Sequence, residues 1–318
     1  MTDFVVLTGF LGSGKTTLLA DFLALPEAAD TAVIVNEVGE IGLDGAILAQ
    51  SGDDVPIAML SNGCVCCSLG GDLERTVGAL LETRLHGPPL ARIILETSGL
   101  SKPGPILRSL AGLAPLGMRV GVVATFDCRA ATAADGFEEA AAQWAGAQTL
   151  VLTKRDIASV AERQRARAAA AGVNPMAGLI DTGDRDAAVQ AAFALPATAA
   201  AGSLFEASAG LRHPRIRVLL ARPDDTIKWD ALAEWLDNLA GLCGERLLRV
   251  KGVVRVADRG QPILVQSVGT LFSAPRPFAA VGDGRSFLVL IVRDIDPAEL
   301  TRHVAPLKMR FTQLGQEP

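Results

Sequence analysis

No apolar stretch in this chain of 318 residues approaches the ~18 needed to cross a bilayer, and the cleanest runs, such as Phe287 to Val292, are strand-sized. A helical membrane span is therefore excluded, and no membrane partner is expected. An excess of positive charge is also missing. The formal net charge is −5 and the isoelectric point about 5.3, a balance that repels phosphate backbones and argues against nucleic acid as the main partner. The amino terminus, Met1-Thr2-Asp3, has an early acid and no basic lead-in, so the expectation is a chain without a secretory leader, in the cytoplasm. Lysine is scarce: Lys15, Lys102, Lys154, Lys228, Lys251 and Lys308 are the only ones, which makes any lysine inside a motif informative. What the chain has in quantity is apolar material. At 49% hydrophobic it can build a substantial core, which excludes disorder as its main state.

Length and pattern together predict two domains. Phe4 to Thr8, Thr31 to Val35, Arg92 to Leu95, Val120 to Phe126 and Gln148 to Leu152 are short, continuous apolar runs. Helix-like stretches separate them: Lys15 to Leu25, ended by Pro26, then Leu73 to Leu85 and Phe137 to Ala145. Apolar strands alternating with helices predict an α/β domain, its mostly parallel sheet covered by helices on both faces, over residues 1–200. Small residues from Ala197 to Gly202 and prolines at 214 and 223 read as a linker over 201–223. Beyond it, over 224–318, a helix from Trp229 to Leu239 precedes strands near 247–256, 262–269 and 286–292 and a terminal helix from Asp296, the order of a smaller α+β domain.

The strongest chemical signal is Gly9-Phe10-Leu11-Gly12-Ser13-Gly14-Lys15-Thr16-Thr17, a G-x-x-x-x-G-K-[ST] loop between a buried strand and a helix. Gly9, Gly12 and Gly14 let the backbone curl until its N–H groups, with those of Ser13 and the helix start through Thr17, point at phosphates. Lys15 is expected on the β- and γ-phosphates and the Thr16 hydroxyl on Mg²⁺. Thr153-Lys154-Arg155-Asp156 follows the fifth strand directly, where guanine-specific NTPases carry N/T-K-x-D. A carboxylate at Asp156 can accept both N1–H and N2–H of guanine, donors that adenine does not pair, and the Lys154 stem can cover the ring; a polar helix cap is the plainer alternative. Arg92 to Leu95 leads into Glu96-Thr97-Ser98-Gly99, where Glu96 can orient Mg²⁺ or water and Gly99 can donate its N–H to the γ-phosphate. Asn36 to Gly45 adds a loop rich in acids and glycines, with Glu37 at its start.

Three of the five cysteines crowd into Cys64-Val65-Cys66-Cys67. A disulfide framework spreads its cysteines, and a structural zinc knot needs two separated pairs, of which the second is missing here. Metal binding, a redox dithiol and chance core cysteines all remain open. On the first reading the site is open and soft, suited to handing metal over rather than storing it. Cys128 and Cys243 stand alone and read as core residues.

Taken in order, GFLGSGKTT, NEVGEIGLDG, GCVCC, ETSGL and TKRD resemble the CobW-type GTPases, relatives of the hydrogenase and urease nickel-insertion GTPases. The likeness covers most of residues 4–200, and Leu248-Arg249-Val250-Lys251-Gly252 resembles the start of that family's C-terminal domain. It implies a P-loop GTPase fold and a GTP/GDP cycle with catalytic roles for Lys15, Glu37 and Glu96. It also places Mg²⁺ near Thr16, Glu37 and Glu96, and zinc or cobalt on Cys64, Cys66 and Cys67, with Glu37 as an additional ligand. The implied function is a metallochaperone or metalloenzyme activator that delivers its metal to a client, recognised by the C-terminal domain. Ser101-Lys102 stands where the family often has an acid, Val38 where it has a phenylalanine. With three histidines in all, the chain lacks the His-rich tract of some members, which argues against bulk metal buffering. No arginine is evidently placed to finish the hydrolysis site in cis, so slow intrinsic turnover is expected, with the arginine supplied by the client or a homodimer partner. The rivals are a nucleotide- and metal-sensing regulator without delivery, and a P-loop small-molecule kinase.

Overall fold

The computed structural model describes residues 2–36, 56–59, 69–82, 88–101, 106, 109–110, 113, 116–129, 138–195, 215–278 and 286–314. The chain divides into two compact units, residues 1–170 with 177–199, and residues 171–176 with 200–318.

In the first unit β1 (Asp3–Gly9), β2 (Thr31–Asn36), β3 (Ile57–Met59), β4 (Arg92–Thr97), β5 (Arg119–Asp127), β6 (Thr149–Thr153) and β7 (Gly178–Ile180) form one parallel sheet in the order β3-β2-β4-β1-β5-β6-β7. Every residue of β1 is buried, which is why Phe4 to Leu7 is continuously apolar instead of alternating. On one face, Val5, Leu7, Val33, Val35, Ile94 and Val123 pack with Leu19 and Phe22 of α1 (Lys15–Leu23) and with Val189 and Phe193 from Arg185–Phe193. That last helix is α5; before it come α2 (Leu69–Glu82), α3 (Glu138–Gly146) and α4 (Val160–Val173). On the opposite face, Trp144 of α3 stacks on Phe126 at 4.0 Å. Helices therefore cover both faces, as expected.

Because the strands are parallel, the loops after β1, β4, β5 and β6 all leave from one edge. From β1 the chain returns through β2 on the β4 side, whereas β5 and β6 continue on the other side. This is the switch point where doubly wound sheets open a crevice.

The second unit is an antiparallel sheet of β8 (Ile216–Pro223), β9 (Leu247–Val254), β10 (Ile263–Val268), β11 (Leu271–Phe272), β12 (Arg276–Pro277), β13 (Phe287–Arg293) and β14 (Met309–Gln313). The order is β11-β10-β9-β13-β8-β14, with β12 beside β10. Helix α6 (Trp229–Cys243) lays Leu232, Trp235, Leu236 and Leu239 on one sheet face; α7 (Pro297–His303) adds Leu300. The linker expected over 201–223 needs correction at its end. Ile216 to Pro223 is a strand hydrogen-bonded to both β13 and β14, with Val218 to Ala221 buried. Pro223 ends that strand rather than marking a flexible connection.

Alternation along β9 turns Val250 and Val254 to the α6 core and Arg249 and Lys251 to the other face, both nearly fully buried. Burial first, and the neighbouring Arg249 second, push the Lys251 ammonium down to about 8 from the usual 10.5. Below that pH folded and unfolded chains both carry the proton, and the burial penalty is fully present. Between pH 8 and 10.5 only the folded chain sheds it, so stability should rise with pH. Lys251→Met should stabilise the protein at pH 7 by about 1–3 kcal/mol, an advantage that shrinks towards pH 10. Urea unfolding of both proteins across this range measures it. The Cys243 thiol, raised by burial to about 12, acts in the opposite sense but is common to both and cancels. A difference independent of pH would overturn the assignment.

Candidate nucleotide site

The loop after β1 is held by hydroxyls from neighbouring strands. Ser13 Oγ lies 2.6 Å from Thr125 Oγ1 of β5, and the Thr153 hydroxyl at the end of β6 donates to the Ser13 carbonyl at 2.7 Å. Gly9 has a left-handed φ of 146°, and a Cβ there would sit 2.1 Å from Thr125 Oγ1, so only glycine lets β1 end against β5. Gly14, also left-handed, caps α1. Lys15 is buried and donates from Nζ to the Gly9 carbonyl at 2.9 Å and the Phe10 carbonyl at 3.4 Å, so its ammonium lies across the curl of the loop. In the next position the Thr16 hydroxyl donates to Glu96 Oε1 at 2.6 Å. Glu96 is 3% exposed, its backbone paired with β1 at Leu7. Three residues further on, the chain returns to the loop: a Cβ on Gly99 would fall 2.7 Å from the Leu11 amide nitrogen.

Beyond β6, Lys154 adopts a left-handed φ of 54°, rare for a residue with a side chain, and its Nζ pairs with Asp127 Oδ2 at 2.7 Å. Asp156 is exposed in the following turn, while Arg155 and Arg167 both pair with the carboxylate of Asp181 after β7.

Of the residues singled out in the sequence, Gly9, Gly12, Ser13, Gly14, Lys15, Thr16 and Thr17 form one loop and helix start. Glu96 and Gly99 meet it from β4, and Thr153 from β6. Lys154 and Asp156 follow directly in the chain. Glu37, Cys64, Cys66, Cys67 and Lys102 lie outside the described residues. Burial raises the Cys128 thiol to about 11 and the Cys243 thiol to about 12, so neither offers a thiolate near neutral pH, as befits core residues.

Sequence reasoning missed Thr125, Asp127, Asp181 and Gln143. Asp127 carries the signal that picked out Glu96, an acid ending a buried apolar strand. Gln143 is the one amide in an alanine-rich helical stretch. It is fully buried, and it donates from Nε2 to the carbonyls of Gly99 at 3.1 Å and Ser101 at 2.9 Å.

A parallel sheet with a glycine-rich loop at its switch point, a lysine and a threonine opening the next helix and an acid on the adjacent strand define a P-loop nucleotide-binding domain. Comparison with known proteins agrees. The family profile described as CobW/HypB/UreG, nucleotide-binding domain, matches residues 3–181, and that of the cobalamin synthesis protein cobW C-terminal domain matches residues 216–307. The chain belongs to the CobW/HypB/UreG family. It is 29% identical over 284 residues to the zinc chaperone YjiA of Escherichia coli K12, covering 85% of this chain and 86% of that protein. A shorter match, 41% identical over 106 residues, covers 32% of this chain and 29% of the zinc chaperone CobW of a Sinorhizobium species. The zinc-bound crystal structure of the E. coli YjiA GTPase shares the fold, with a TM-score of 0.62 at 24% identity over 94% of this chain and 96% of that one.

The contact between Gly99 and Leu11 leaves no room for a side chain. Gly99→Ala should force the two loops apart and destabilise the protein by about 1–3 kcal/mol, measured by urea denaturation. Unchanged stability would show that the loops separate freely.

Proposed function

We propose that this chain is a GTPase that carries a transition metal and hands it to a client protein under control of its nucleotide state. The observation that carries the reading is the Thr16 hydroxyl 2.6 Å from Glu96, directly behind a loop whose lysine is already drawn across its carbonyls. Family membership and relatives named as zinc chaperones support the rest.

On this reading Lys15 exchanges the Gly9 and Phe10 carbonyls for β- and γ-phosphate oxygens, and the N–H groups from Gly12 to Thr17 cradle the phosphates. Thr16 and Glu96 supply two hard oxygens, the donor type Mg²⁺ takes, and Glu37 is the third candidate. The ion, when bound, neutralises phosphate charge. Gly99 donates its N–H to the γ-phosphate. Asp156 reads the guanine N1–H and N2–H, and Asp127 holds Lys154 beside the base. Water attacks the γ-phosphorus and the bond to the β-phosphate oxygen breaks, giving GDP and inorganic phosphate. Turnover is slow until a client or a second copy of the chain adds an arginine.

The cargo is zinc, with cobalt the runner-up, held by the thiolates of Cys64, Cys66 and Cys67 with Glu37 close in sequence to the phosphate side. GTP orders the acidic loop and tightens the thiolate site; hydrolysis loosens both. The residues after 224 recognise the client, and the protein works in the cytoplasm.

Two measurements test this. Lys15→Ala should weaken binding of fluorescent GDP by roughly 10–100-fold and leave zinc affinity of the nucleotide-free protein unchanged. Loss of both in a folded variant would contradict the wiring. Competition titrations of Zn²⁺ and Co²⁺, with Mg²⁺-GDP and with a non-hydrolysable GTP analogue, should show a large affinity gap between nucleotide states. That gap should vanish in Cys66→Ser. Equal affinities in the two states would uncouple the sites, since a ligand indifferent to two states cannot shift them. Separately, Asp156→Asn should reduce the preference for GTP over ATP by roughly 10–100-fold in the same fluorescence assay.

A further inference from the structure

A primary amide is costly to bury unless it is bonded, and Gln143 is fully buried in α3 between alanines and Trp144. Its two amide hydrogens are used on one short segment, the loop after β4, at the carbonyls of Gly99 and Ser101. That segment makes its own turn, Ser101 N–H to the Ser98 carbonyl at 2.9 Å, and abuts the phosphate loop at Leu11. The next residue of the helix, Trp144, donates from Nε1 to the Thr125 carbonyl at 3.1 Å, and the Thr125 hydroxyl in turn meets Ser13. Adjacent residues of α3 thus hold two things: the loop after β4, and the strand that anchors the phosphate loop.

The hold is also incompletely satisfied. The Gln143 Oε1 atom is buried without a hydrogen-bond partner, and so are the hydroxyls of Thr97 and Ser101 at either end of the same loop. Such atoms are few in folded proteins, because each forfeits the water it left behind. The two amide hydrogen bonds tie this segment to α3.

We propose that Gln143 is a positioning residue that clasps the loop after β4 against the phosphate loop, and that this clasp holds the Gly99 peptide where hydrolysis needs it. The kinetic half of this inference rests on the GTPase reading above; the structural half does not. Gln143 acts through the Gly99 and Ser101 peptides, and with Trp144 beside it α3 links the loop that follows Glu96 to the strand under the phosphate loop.

The test uses full-length protein and two substitutions. Gln143→Leu removes both donors at similar volume, and Gln143→Glu keeps the shape but turns a carboxylate towards two carbonyls. In nucleotide-free protein, hydrogen exchange of a peptide spanning 97–104 should accelerate about tenfold in both variants, with peptides from β1, β5 and the second unit unchanged. With GTP and Mg²⁺, kcat should fall about tenfold while KM and the affinity for fluorescent GDP stay within about twofold of wild type. In Gln143→Glu the loss should ease as pH falls from about 8 to about 5.5, because burial raises the carboxyl pKa and protonation restores one donor. The Gln143→Leu deficit should not vary with pH. Unchanged exchange in 97–104 would overturn the clasp. Faster exchange throughout the first unit would show that Gln143 merely supports the fold. A wild-type protein that binds no GTP would refute the GTPase reading and the kinetic half, and the exchange result would still decide the structural half.

Discussion

Ser13 is the point on which the first unit turns. Its hydroxyl meets Thr125 at 2.6 Å and its carbonyl accepts from Thr153 at 2.7 Å, so two strands on one side of β1 fix the curl of the phosphate loop. From the other side Glu96 takes the Thr16 hydroxyl and Gly99 presses on Leu11. Short polar side chains on parallel strands suit this task. Each strand end delivers one hydroxyl or carboxylate to the same edge, and the sheet beneath is too tightly buried to let the ends drift. The loop after β1, Glu96 and the end of β6 thereby share one frame, although the first and last lie more than a hundred residues apart.

Charge follows the same economy. Asp127 is largely buried, and its carboxylate meets the ammonium of Lys154, which tethers a left-handed residue where one without a partner would relax. Asp181 takes two arginines, Arg155 and Arg167, and so secures the turn that carries Asp156. At the opposite edge of the sheet Asp3 takes a bidentate pair from Arg119 at 2.7 Å, which raises the arginine's pKa chiefly by hydrogen bonding. The buried carboxylates at both edges are thus partnered, as burial demands.

Much of this was legible in the residues. β1, β2, β4, β5 and β6 announce themselves because strands covered on both faces must be apolar throughout. The phosphate loop is legible because its glycines and lysine have no cheaper explanation. β3 and β7 were not, since three residues at a sheet edge carry too little pattern, and β8 was hidden because Pro214 and Pro223 read as punctuation of a linker. Polar residues were recognised where a motif named them and missed where only a partner gives them meaning. Asp127 needs Lys154, Thr125 needs Ser13 and Gln143 needs the loop after β4. Cys64, Cys66 and Cys67 were the reverse case, conspicuous in sequence and outside the described residues.

The position of Lys15 ties a charge to the backbone of its own loop. Its ammonium is buried and donates to two carbonyls inside the curl, so the peptide dipoles there offset the cation. Removing the side chain would release two carbonyls as well as a charge. The curl thus owes part of its geometry to the lysine it presents.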